Sequence, residues 1–204
     1  DAYWHGLFGG LYLPHLRRAV WNNLAALEAG LDRLQPRPAV DTVDLDLDGA
    51  RETFIHDDQL QVVIRDDGLG AAVELTSYPL SHNFGDSLRR YREHYHGKIH
   101  NQTASEHQGE GIASAHDIIR FKHPIDAADI VPDCLPRALF LDALDGTPID
   151  DYRSDGKSGF ARAGVTKVYA IVGGQLTVTW TFSGLAGQSF TTILNLAMPS
   201  CDGF

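Results

Sequence analysis

Gln175-Leu-Thr-Val-Thr-Trp-Thr-Phe182 alternates without a break: Leu176, Val178, Trp180 and Phe182 fall on one side, Gln175 and three threonines on the other. A period of two is that of a pleated strand with one buried face, and β-branched and aromatic residues suit it. Gly173-Gly174 before it, and Ser183-Gly184 to Gly187 after it, are turn chemistry. Lys167-Val-Tyr-Ala-Ile-Val172 and Ser189 to Leu196 lie beyond those turns, so the three segments read as an antiparallel meander.

The same reading extends towards the N-terminus. Arg137 to Asp142, Ile118 to Lys122 and Gly70 to Leu75 have strand composition, and Thr53 to His56 with Leu60 to Ile64 flank the polar turn Asp57-Asp58-Gln59 as a hairpin. Val40, Val43, Leu45 and Leu47 carry an alternation up to the Asp48-Gly49 turn. The polar span from Tyr95 to His116 reads as a long loop. Short strands separated by turns, without intervening helices, predict a mainly β chain folded as an antiparallel β-sandwich.

One segment breaks that pattern. Leu13, Leu16, Val20, Leu24, Leu27 and Leu31 step by three or four, which is one apolar face of a helix stopped by Gly30 and the Pro36/Pro38 pair. Gln35-Pro-Arg-Pro38 is stiff and marks a boundary. The predicted division is an N-terminal α-helical segment, residues 1–35, and a β-sandwich domain, residues 39–204. Ahead of the helix runs Asp1-Ala-Tyr-Trp-His-Gly-Leu-Phe-Gly-Gly-Leu-Tyr12. Its glycines allow tight turns and its aromatic rings offer faces for flat or ring-shaped ligands. From spacing alone, Trp4, Phe8 and Tyr12 also fit a turn-by-turn helical core stripe.

Composition narrows the function classes. The 204 residues suffice for one good core, and 43% hydrophobic with 22% charged residues is ordinary for a soluble globular protein. With 17 basic against 27 acidic residues the net charge is −10, which argues against a nucleic-acid partner. Arg89, Arg90, Arg92 and Lys98 are too small a cluster to reverse it. No apolar run approaches the ~20 residues that span a bilayer, so no membrane partner is expected. Cys134 and Cys201 make no disulfide framework, and a reducing, cytoplasmic location is expected.

The stretch Asp1 to Arg18 resembles the Asp-Ala-Tyr-Trp-His-Gly signature of the 4-alpha-glucanotransferases and alpha-amylases of glycoside hydrolase family 57. Asp44-Leu-Asp-Leu-Asp-Gly-Ala-Arg-Glu52 is similar to that family's aspartate-rich opening of the C-terminal β domain, and Gly68-Leu-Gly-Ala-Ala-Val-Glu-Leu75 to its Gly-Gly-x-x-x-Glu-Leu strand. Ser87-Leu-Arg-Arg-Tyr-Arg-Glu-His-Tyr-His96 is similar to its arginine-rich segment. The resemblance implies a galactose mutarotase-like supersandwich, and against that standard both ends of the chain look cut, the C-terminal one just after a strand. It implies an α-glucan or maltooligosaccharide as ligand and an N-terminal catalytic barrel as partner, with Asp1, Tyr3, Trp4 and His5 lining the sugar site from the side. An apolar face left where strands and barrel should pack could drive homo-oligomer formation.

Retaining glycoside transfer needs two carboxyl groups about 5–5.5 Å apart. In the resembled family these sit on the barrel, so no catalytic residue is assigned to this chain, which alone is expected to be inactive; no cofactor is implied. Asp44-x-Asp46-x-Asp48-Gly49 resembles the start of a calcium loop, but Ile55 stands where the closing glutamate belongs. Strand alternation accounts for the aspartates instead, with Val43, Leu45 and Leu47 facing the core, and no metal is assigned. His94, His96, His100, His107, His116 and His123 crowd one region without a zinc motif. Two other function classes use the same chain: a stand-alone carbohydrate-binding module with Trp180 and Tyr169 as an aromatic platform, and a mutarotase or epimerase using Glu93, His96 and His123.

Overall fold

Most strands form near the segments of strand composition, and the residues between them show how they are joined. The computed structural model describes residues 13–93, 96 and 125–198. One unit comprises residues 1–87 and 137–204, a second residues 88–136. Within the first, β2 (Glu52–His56) and β3 (Leu60–Arg65) make the expected hairpin, with Asp57 Oδ1 accepting from the backbone N–H of Gln59 and Leu60. β1 (Val40–Val43) lines one edge, and β4 (Ala72–Ser77) pairs the other side of β3. The order continues through β6 (Leu139–Leu144) to β12 (Phe190–Leu194), with β5 (His82–Asn83) on β4 and β7 (Thr147–Pro148) on β6, all contacts antiparallel. A second antiparallel sheet orders β11 (Gln175–Phe182), β10 (Val165–Val172), β9 (Gly159–Arg162) and β8 (Arg153–Ser154).

The two sheets bury one core between them: Ile55, Val62, Ile64, Ala72 and Leu139 from the first meet Phe160, Val165 and Tyr169 from the second. The fold is a mainly β antiparallel sandwich with one α-helix among the described residues. The sheets are also tied at a rim, where Gly174 N–H donates to Asp57 Oδ2 at 2.6 Å. Gly68 sits where no other residue fits: its φ is +89° and a Cβ would lie 2.2 Å from the Asp150 carbonyl oxygen.

Three expectations fail. The last three segments are not a meander, because after the β10–β11 hairpin the chain crosses at residues 183–189 and β12 joins β6 in the other sheet. The alternation through Leu45 and Leu47 does not continue β1. Both leucines are exposed and Leu47 takes a φ of +60°, because Asp44 accepts from the N–H groups of Asp48 and Gly49 and turns the chain. Gly30 does not stop α1, which runs Pro14–Leu34 and ends just ahead of Pro36.

The helix lies on the outer face of the first sheet by its polar side. Arg17, Trp21, Ala25, Glu28 and Asp32 are spaced by four, four, three and four, and of these Arg17 and Ala25 are buried. The leucine stripe lies roughly a quarter-turn away around the helix. Its six members, from Leu13 to Leu31, stay 37–57% exposed.

Candidate functional site

Residues Asp1, Tyr3, Trp4 and His5 lie outside the described residues, as does Ile118–Lys122; the end of α1 that carries their loop is described. Arg17, in the first turn, donates from Nε to both oxygens of Asp86, at 3.3 and 3.1 Å. The pair is nearly buried, with 8% and 14% of the two side chains exposed. Asp86 stands on a braced segment: Asn83 Oδ1 accepts from the N–H of Gly85 and Leu75, Ser87 Oγ donates to the Asn195 carbonyl, and His82 Nε2 meets the Ala197 carbonyl at 2.7 Å. Between helix and brace lies a cavity of about 150 Å³, lined among others by His15, Arg18, Trp21, Asn83 and Met198.

At the other end of α1 a polar network replaces apolar packing. Arg37 donates to Asp32 from both Nε and Nη2, at 2.6 and 2.8 Å, and also to Gln61 Oε1. The Gln61 amide nitrogen donates to Glu28 and to Glu74, at 3.1 and 3.0 Å. Tyr78 Oη donates to Gln61 Oε1, and His56 Nδ1 lies 3.6 Å from Asp32. Hydrogen bonds from Arg37 hold the Asp32 carboxyl below its usual range. Glu28 is raised, by burial and then by the neighbouring Glu74 charge. Of these groups, Asp32, Arg37, His56 and Tyr78 line a cavity of about 490 Å³.

Sequence reasoning missed a third cluster, in the sandwich core. Lys167 Nζ lies 2.9 Å from Asp142 Oδ2, and both side chains are wholly buried. The same oxygen accepts from Tyr152 Oη at 3.0 Å and Trp180 Nε1 at 3.1 Å. The ammonium also sits over the Tyr152, Tyr169 and Trp180 rings, 5.4–5.7 Å from their centroids. Phe140 completes it. It is the extra residue of a bulge, since Leu139 and Leu141 pair with successive residues of β12, and its φ of +62° frees its carbonyl to accept from Lys167. Burial pushes the Lys167 ammonium down and Asp142 opposes that. Neither charged side chain has any surface in solvent, so the cluster is architecture. A lysine and an aspartate at inward positions of otherwise apolar strands were its signal in the sequence. It also removes the proposed aromatic platform: Trp180 points inward onto Phe140 and Phe190, and Tyr169 is 1% exposed.

The oxygens of Asp44, Asp46 and Asp48 converge within 4.8 Å of one another. They already accept backbone N–H groups, and Arg65 pairs with Asp46 and Asp48, so the cluster closes its own loop. In the second unit, Asp133 pairs with Arg90 and the Asp133 and Cys134 carbonyls accept from Arg89, which spends two of the clustered arginines locally. His96 Nδ1 accepts from the Glu93 backbone; His94, His100, His107, His116 and His123 lie outside the described residues.

A model described as alpha-amylase/4-alpha-glucanotransferase, C-terminal, matches residues 44–150, more than half of the chain. The chain belongs to this family. The model for the middle domain of alpha-amylase/4-alpha-glucanotransferase matches residues 1–31, the loop and most of α1. Among relatives of the family, the chain is 39% identical to an alpha-amylase of Pyrococcus abyssi over 58% of its own length and 17% of that protein's. It is 36% identical to a 4-alpha-glucanotransferase of Thermococcus kodakarensis over 75% of its length and 23% of the relative's. The crystal structure of 4-alpha-glucanotransferase from Thermococcus litoralis superposes with a TM-score of 0.63 at 24% identity, over 88% of this chain and 31% of that one, which supports the fold. The chain thus spans about a fifth of the length of these curated relatives. No described helix is long and apolar enough to cross a membrane.

Proposed function

We propose that this chain is the C-terminal part of an alpha-1,4-glucan-acting retaining glycoside hydrolase or glucanotransferase. It completes the sugar site through Asp1, Tyr3, Trp4 and His5 and packs against a catalytic portion carried elsewhere in the polypeptide. The observation that carries this reading is the helix α1. Its polar side is spent on the sheet, while six apolar side chains in register remain half-exposed along its flank. A contiguous apolar stripe of that length marks a surface meant for another protein element. The family's middle-domain match ends on this helix, which makes the preceding part of a longer enzyme the fitting occupant. Trp4 or Tyr3 stacks on a glucose ring, and Asp1 and His5 hydrogen-bond its hydroxyls or orient the carboxyl pair that the catalytic portion supplies. The exposed free thiol of Cys134 fits a reducing, cytoplasmic location.

The test is maltoheptaose disproportionation, run on the isolated chain and on the full-length enzyme. The expected result is no turnover by the chain alone, and in the full-length enzyme a Trp4→Ala loss of roughly tenfold in kcat/KM, the equivalent of about 1.4 kcal/mol. Turnover by the isolated chain would overturn the reading. Tight glucan binding by it without help from the loop would favour a stand-alone binding module.

A further inference from the structure

We propose that the Arg17–Asp86 ion pair is a positioning device for the sugar-facing loop, an inference that rests on the loop reading above. A cation in the first turn opposes the helix dipole, which favours negative charge there. The first turn of α1 holds no acidic residue and Leu13 supplies no side-chain cap, so Arg17 does not serve the helix itself. It serves a contact across 69 residues of sequence instead. Buried ion pairs add little net stability compared with apolar packing, yet a lost partner is costly, so their use is to enforce one geometry.

The rest of the geometry fits that use. Arg17 lies in the first turn of α1, three residues after Pro14, so its guanidinium fixes the helix end to which the preceding segment is joined. Asp86 is fixed in turn by its braced segment: the Phe84 carbonyl accepts from the Ala197 N–H, and the Ser87 hydroxyl donates to the Asn195 carbonyl. The far end of α1 is held separately by Asp32 and Arg37. A change at Asp86 therefore moves the loop end of the helix while leaving the other end anchored.

The experiment is a double-mutant cycle in the full-length enzyme between Asp86→Asn and Trp4→Ala, read as kcat and KM for maltoheptaose, with unfolding midpoints recorded beside them. Effects on one shared device are non-additive, whereas independent ones multiply. The expected result is a loss of roughly tenfold in kcat/KM for Asp86→Asn that vanishes in the Trp4→Ala background. Arg17→Lys, which keeps the charge but loses the planar fork, shows the same non-additivity and replaces Asp86→Asn if that variant does not accumulate folded. Losses that multiply, or an unchanged kcat/KM in both variants, overturn the clamp and leave the loop reading standing. A silent Trp4→Ala overturns the loop reading and the clamp with it.

Discussion

Two regions of the sandwich unit hold charges against the same sheet, and they do so in opposite ways. In the core, Lys167 and Asp142 are sealed among Tyr152, Tyr169 and Trp180 with no exposed atom surface. Under α1, Arg37 and Asp32 line a cavity and are linked through Gln61 to Glu28, which is half-buried. β3 runs between the two. Val62 and Ile64 face the core, while Gln61, equally buried, faces the helix. The sealed pair cannot be relaxed by water, so each charge exists at the mercy of the other. The network can be. The sandwich is therefore held as one cooperative body, whereas the helix rests on it through contacts that respond to pH and salt.

Five measurements break or sharpen that contrast, the largest effect first. Asp142→Ala strands the Lys167 ammonium and the Tyr152 and Trp180 donors together. The expected loss is about 3–5 kcal/mol in urea unfolding of the isolated chain, and a loss below 1 kcal/mol would show the core tolerates an unpaired lysine. Gln61→Leu, which removes one hydrogen bond from each of Glu28, Glu74, Arg37 and Tyr78, should cost about 1–3 kcal/mol. Hydrogen exchange should place that loss in α1 more than in β10 and β11, and uniform loss would mean helix and sandwich open as one.

Glu28→Gln tests the electrostatics of the seam. A carboxyl raised by burial and by Glu74 is penalised when charged, so its folded form gains stability as pH falls through the raised value and loses it as pH rises. The Gln variant should then be more stable than the parent at pH 7, by roughly 0.5 kcal/mol because the site is half in water. The gap should close below the ordinary glutamate value of 4.5. Asp32 acts with the opposite sign: its lowered carboxyl contributes above the ordinary value of 3.8 and loses that contribution as acid protonates it. Acid titration of Asp32→Asn against the parent should therefore begin to converge below that pH and meet once the pH passes the lowered value. Smallest of all, Leu24→Gln on the outward stripe should shift the isolated chain by less than about 0.5 kcal/mol. The same change in the full-length enzyme should weaken stability well beyond that if the stripe is an internal interface.

The strands were legible because a period of two and strand composition need no tertiary information: β11 lies where its alternation puts it, β3 and β10 start or end within two residues of their expected bounds, and β4 and β6 are shifted by two residues. What the pattern could not carry was which sheet β12 would join, a choice made by a seven-residue crossing and a bulge at Phe140 far away in sequence. Leu45 and Leu47 misled for a local reason, since aspartates that accept backbone N–H groups bend a chain that apolar spacing would extend. The helix was found, but it packs on the sheet by a different side from the apolar one that revealed it. Periodicity reports that a stripe wants burial and says nothing of who buries it. Of the site, the sequence supplied the loop through a family resemblance, while Arg17–Asp86 needed coordinates because its two halves are 69 residues apart.

The sealed amine has a practical use. Lys157 is exposed and Lys167, ten positions on, has none of its surface in water. An amine-reactive reagent should tag the first at once and reach the second only when the two sheets part. Peptide mapping of the two sites over time would then give the chain its own stopwatch: the Lys157 signal calibrates reagent, and the Lys167 signal counts openings of the sandwich, with no probe attached to the protein.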